Sequence, residues 1–160
     1  MADDKPLRDH LGTLLDWGDA HVGFDRAVKG IPPRLRGVVP DRLEHSAWQL
    51  VEHIRLAQAD ILEFCVNPKY AEKKRPDDYW PRDARPKNAM AWTASIAAYR
   101  NDLKALRRLA RDRAIDLFAA IPHGDGQTYL REILLVADHT AYHVGQLILV
   151  RRALDIWGGA

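Results

Sequence analysis

Four stretches of the chain repeat their apolar residues every three or four positions, and each is bounded by residues that start or stop a helix. In the first, from about Pro6 to Lys29, the recurring residues are Leu7, Leu11, Leu14, Val22 and Val28. Asp3, Asp4 and Pro6 suit its first turn, and Gly30 with Pro32-Pro33 closes it. The second opens at Ser46, with Gln49 at the spacing of a capping box, and stops at Asn67-Pro68. Its stripe is Leu50, Ile54, Ala57, Ile61 and Phe64. The third is the most regular: Trp92, Ile96, Tyr99, Leu103, Leu106 and Ala110 alternate in steps of four and three, the seam of a bundle helix. The fourth runs from Thr128 to Asp155, after the turn-rich segment 121–127. This pattern predicts an all-α fold, a four-helix bundle with long connecting loops, as a single domain over residues 1–160.

The connections are uneven. Residues 31–45 are rich in Pro, Gly and Arg and have no period. Residues 67–88 hold four prolines and many charges, yet Tyr70, Tyr79 and Trp80 are interleaved among them, which predicts a loop pinned to the body. Loops this long in a compact domain often cover a site. For Asp77 to Pro81, packing on the body is expected, with closure over the bundle mouth or a dimer contact as alternatives.

Composition narrows the function classes. Cys65 is the one cysteine, so no intrachain disulfide forms and a reducing compartment is expected. The charged N-terminus does not read as a signal peptide, and no uninterrupted apolar run nears the roughly 20 residues of a membrane span. The expected setting is the cytoplasm, with no membrane partner. A formal net charge of +2 does not point to nucleic acid. The basic face of the third helix (Arg100, Lys104, Arg107, Arg108, Arg111) is interrupted by Asp102 and Asp112 and reads as solvated.

The candidate chemistry lies in the fourth helix. His139 and His143 are four apart and so project from one face. At about 100° per residue, Val136, Leu147, Val150 and Leu154 share that face, while Arg131, Asp138, Gly145 and Arg152 lie opposite. Two imidazoles in a buried stripe need partners, and a metal ion satisfies both. His53, at the edge of the second helix's stripe, is either a structural histidine or a third ligand. His21 is either a core histidine bonded to a neighbouring helix or a side chain lining the metal pocket. Thr140 after His139 rules out the metalloprotease motif, and Gly-rich phosphate loops, nucleophile elbows and zinc-binding cysteine pairs are absent.

Two segments, Ser46-Ala-Trp-Gln-Leu-Val-Glu-His53-Ile and Asp138-His139-Thr-Ala-Tyr142-His143-Val-Gly145-Gln146 followed by Arg151-Arg152, resemble those of the DinB-like four-helix bundle superfamily. That superfamily includes bacterial thiol-dependent S-transferases and mycothiol-dependent maleylpyruvate isomerases. The resemblance implies that His53, His139 and His143 hold a divalent ion, zinc or nickel, facially with positions left open. Two reaction classes would follow on a small-molecule substrate: transfer or isomerisation with a low-molecular-weight thiol cofactor, and metal-assisted hydrolysis. His21, Gln49 and Asp60 are candidate pocket groups, with Glu132 entering near one end. The competing reading is a non-enzymatic bundle, a stress-related binding protein or a scaffold braced by its metal. A homodimer through Trp48, Tyr142 and Trp157 is a further expectation, and proton competition is expected to weaken metal binding below about pH 6.5.

Overall fold

A computed structural model describes residues 3–158. Its helices are α1 (Lys5–Leu14), α2 (Phe24–Val28), α3 (Ala47–Val66), α4 (Ala89–Arg111) and α5 (Tyr129–Ala153), with a 3-10 turn at Pro33–Leu35. No β-strand occurs among the described residues, so the class is all-α with four long helices. Side chains fix where the long helices begin. Ser46 accepts from the Gln49 amide at the start of α3, Asn88 from Ala91 at α4, and Thr128 from Arg131 at α5. Each satisfies one of the backbone donors that a helix start leaves unpaired.

Helix α3 packs against both α4 and α5, which touch each other far less. Leu50 and Ile54 of α3, Leu106 of α4, and Val136 and Leu147 of α5 meet at the fully buried centre. The entire seam expected for α4, from Trp92 to Ala110, is buried. Helix α5 is long and apolar enough to cross a membrane by length and composition, with a mean hydropathy of 1.4. Here it lies along α3, burying Glu132, His143 and Arg151 against the bundle.

The first predicted helix is two. Between α1 and α2 the chain reads Leu15-Asp-Trp-Gly18-Asp-Ala-His21-Val-Gly23, and two glycines with two aspartates make a poor helix interior. The break lets one segment serve two neighbours, with α1 packing on α4 and α2 on α5. Phe24, just past it, stacks on Tyr99 with ring centroids 3.8 Å apart. Two buried arginines close the joins. Arg8 donates to the carbonyls of Ala110, Asp112 and Ile115 at the end of α4 (3.2, 2.8 and 2.7 Å). Arg151 donates to the carbonyls of Arg26 and Ala27 in α2 (3.1 and 2.6 Å). Both place a cation where helix carbonyls lack partners.

The residues expected on a dimer face do not form one surface. Trp48 is buried beside Trp92, Trp157 is half-buried under Arg151, and Tyr142 alone is exposed. Packing at the centre gives a direct test by urea denaturation. Leu106→Ala should lose about 2–5 kcal/mol, whereas Leu149→Ala on the exposed face of α5 should stay within about 0.5 kcal/mol of the parent.

Candidate metal centre

Helix α3 delivers His53, and α5 delivers His139 and His143 one turn apart, so the three imidazoles meet across the α3–α5 seam. His53 Nε2 lies 3.1 Å from His143 Nε2 and 3.0 Å from His139 Nε2. One ring nitrogen from each residue falls within 4.8 Å of the others. His53 and His143 are buried and His139 is half-buried.

The outer nitrogens settle what the inner ones can do. His53 Nδ1 lies 2.8 Å from the Tyr79 carbonyl, which can only accept, so this nitrogen carries the proton and Nε2 presents its lone pair. His143 Nδ1 is likewise bonded to Gln146 Oε1 at 2.7 Å, and Gln146 Nε2 donates onward to the Tyr142 hydroxyl at 3.3 Å. With both outer nitrogens protonated, the lone pairs of His53 and His143 point at each other with no hydrogen between them. A cation resolves that contact. Donors bound at about 2.1 Å and roughly 90–109° apart sit about 3.0–3.4 Å from one another; both separations made by His53 fall in that range, and the remaining pair lies within 4.8 Å. The buried triad can therefore hold a metal ion.

Electrostatics point the same way. Burial, with smaller contributions from neighbouring imidazoles, lowers His53 to about 4 and His139 to about 4; burial also lowers His143. The ligands are thus neutral and available at neutral pH. The expectation that protons displace metal near pH 6.5 is accordingly corrected downward for the folded chain, because two of the three imidazoles resist protonation well below that value.

Part of the 67–88 loop lies against this site. The indole of Trp80 is sandwiched, 3.8 Å from the His53 ring at an interplanar angle of 6° and 4.0 Å from His45 at 23°. Asp60, buried on α3 about two turns beyond His53, accepts from Tyr79 Oη at 2.5 Å and Tyr70 Oη at 3.1 Å, with Lys73 Nζ at 3.4 Å. Burial and this carboxylate raise both phenols, and the nearby Arg75 opposes the rise at Tyr79. Asp60 thus fastens the segment whose Tyr79 carbonyl orients His53. Beside the triad lies a cavity of about 290 Å³ whose wall includes His53, His139, Asp60, Tyr79 and Trp80.

The other candidates go elsewhere. His21 is exposed in the break between α1 and α2, with Nδ1 against the Val22 carbonyl at 3.1 Å. It lines a second cavity, about 460 Å³, that touches α5 through Ala137, Thr140, Ala141 and Val144, on the face opposite the triad. Gln49 is spent on the capping box, its Oε1 accepting from the Ser46 amide at 3.0 Å. Glu132 is buried and paired with Arg131, about 10 Å along the helix axis from His139. Cys65 is no nucleophile: burial, aided by Glu132, pushes its thiol up to about 12. Sequence reasoning missed His45 and Gln146 as neighbours of the site, while Trp80 lay in the segment for which closure over the bundle mouth was one alternative. Gln146 alone had a signal, its place three residues after His143 on the same helix.

A pH test follows for chelator-treated protein. Between about pH 6.5 and 4 the unfolded chain takes up protons that native His53 and His139 refuse. Acidification through that window should lower the urea midpoint, and His139→Gln should reduce the drop. An identical drop in the variant would remove this histidine from the acid response.

Compared with known proteins, residues 19–147 match the family model of the DinB superfamily, a span that contains all three histidines. No curated protein and no solved structure matches.

Proposed function

The chain belongs to the DinB superfamily, and from that premise we propose that it is a metal-dependent enzyme acting on a small molecule. The observation that carries the reading is the convergence of three imidazoles, two of which, His53 and His143, turn their inner lone pairs toward each other. Zinc or nickel is the proposed ion, since both suit imidazole ligands. Such an ion supplies Lewis acidity, enough to acidify a thiol or water or to polarise a carbonyl. Thiol-dependent transfer or isomerisation and metal-assisted hydrolysis are the reaction classes that this chemistry serves.

The protein's own groups prepare the site. The Tyr79 carbonyl and Gln146 hold His53 and His143 in one tautomer. The Trp80 indole covers one face of His53, shielding it from water. Asp60 keeps the covering segment in place through two tyrosine hydroxyls.

Metal analysis of protein purified without chelator and without a histidine tag tests the reading. Near-stoichiometric zinc or nickel is expected in the parent. It should be lost in His53→Ala, His139→Ala and His143→Ala, each still folded by circular dichroism. A parent that takes up no metal from metal-replete medium would sink it. Asp60→Asn should keep the metal but bind it about 10-fold more weakly or worse, because the support behind His53 loosens. Competition with a chromophoric chelator measures that affinity.

A further inference from the structure

Among the charged side chains that line the cavity beside the triad, Asp60 and Arg75 differ in one respect. The Asp60 carboxylate is fully engaged, by two tyrosine hydroxyls and by Lys73. Arg75, an exposed residue, has no carboxylate within 4.0 Å among the described residues. Its guanidinium sits 6.0 Å from the Tyr79 ring centroid, at the edge of the cavity, on the same loop that Asp60 and Trp80 fasten.

We propose that this cavity is the ligand site, and that Arg75 holds the anionic end of a small carboxylate whose other end carries a metal-binding atom. The proposal rests on the reading of the triad as a metal centre. Two of the three histidines form part of the cavity wall, which brings a bound molecule beside the triad. Ala57, Ile61, Pro76 and Leu135 supply apolar wall between the two polar ends. A volume of about 290 Å³ suits a small metabolite, at the low end of the roughly 300–1,000 Å³ seen for such sites.

Charge selects the ligand class. Three neutral imidazoles leave a divalent ion its full charge, and Arg75, exposed and beside Tyr79, adds a second cation at the rim of the cavity. The one acceptor of charge in the cavity is already committed. A cationic ligand would meet two positive charges and no free carboxylate, whereas an anionic one gains the guanidinium. A carboxylate matches the planar fork of donors that arginine presents.

Cobalt-loaded protein tests this with two probes that differ only in charge, 3-mercaptopropanoate and 3-mercaptopropanamide. Sulfur arriving at the cobalt gives a thiolate charge-transfer band, so each titration yields a Kd without any assay of turnover. The acid should bind about ten-fold tighter than the amide, or better, in the parent. Arg75→Gln should bring the two within about two-fold while leaving cobalt stoichiometry and the Kd of the amide unchanged. Arg75→Lys should fall between, because a point charge lacks the fork. Equal affinity for acid and amide in the parent, or a preference that survives Arg75→Gln, overturns the cavity assignment and leaves the metal centre standing. Failure to take up cobalt overturns the metal reading and this proposal with it.

Discussion

Everything at the centre of this bundle depends on one contact, the approach of three imidazole rings to a common point between α3 and α5. Left alone, polar rings buried at a helix seam destabilise it, and lone pairs that face one another repel. The fold tolerates the arrangement because the far side of His53 and of His143 is bonded outward, to a backbone carbonyl and to a glutamine, so those rings cannot turn to relieve it. The seam is therefore organised to favour a cation, and the packing of α3 on α5 sets how closely its ligands approach.

Much of this was legible in the order of residues. Ser46 and Gln49 named the start of α3, Asn67-Pro68 its end, and the four-three rhythm from Trp92 to Ala110 gave α4 with its buried side. The spacing of His139 and His143 put them on one face because a helix repeats every 3.6 residues. The break at residues 15–23 was not read, although Gly18 and Gly23 stand in it, because Leu14 and Val22 continued the apolar rhythm across the gap. Periodicity reports which side is buried. It does not report that the axis has turned.

The contribution of the loop was legible only in part. Aromatic residues in a polar, proline-rich stretch signalled that residues 67–88 would be pinned. Nothing in that stretch has a period, so no register could be assigned that brings the Tyr79 carbonyl to His53 or the Trp80 indole between two imidazoles. Asp60 was among the candidate pocket groups. Its role emerged once both tyrosines were seen to converge on it. His21 failed for the opposite reason: its assignment to an inward face presumed a helix that does not exist at that position.

The stacking of Trp80 on His53 has an optical consequence. An indole in face-to-face contact with an imidazole feels that ring's charge in its excited state, because a cationic imidazole accepts an electron from it far more readily than a neutral one. A candidate metal ligand and the strongest natural fluorophore of proteins are thus in van der Waals contact. The emission of Trp80 would therefore differ between a protonated His53 and a neutral or ion-bound one, which makes this indole an internal reporter of the histidine's state.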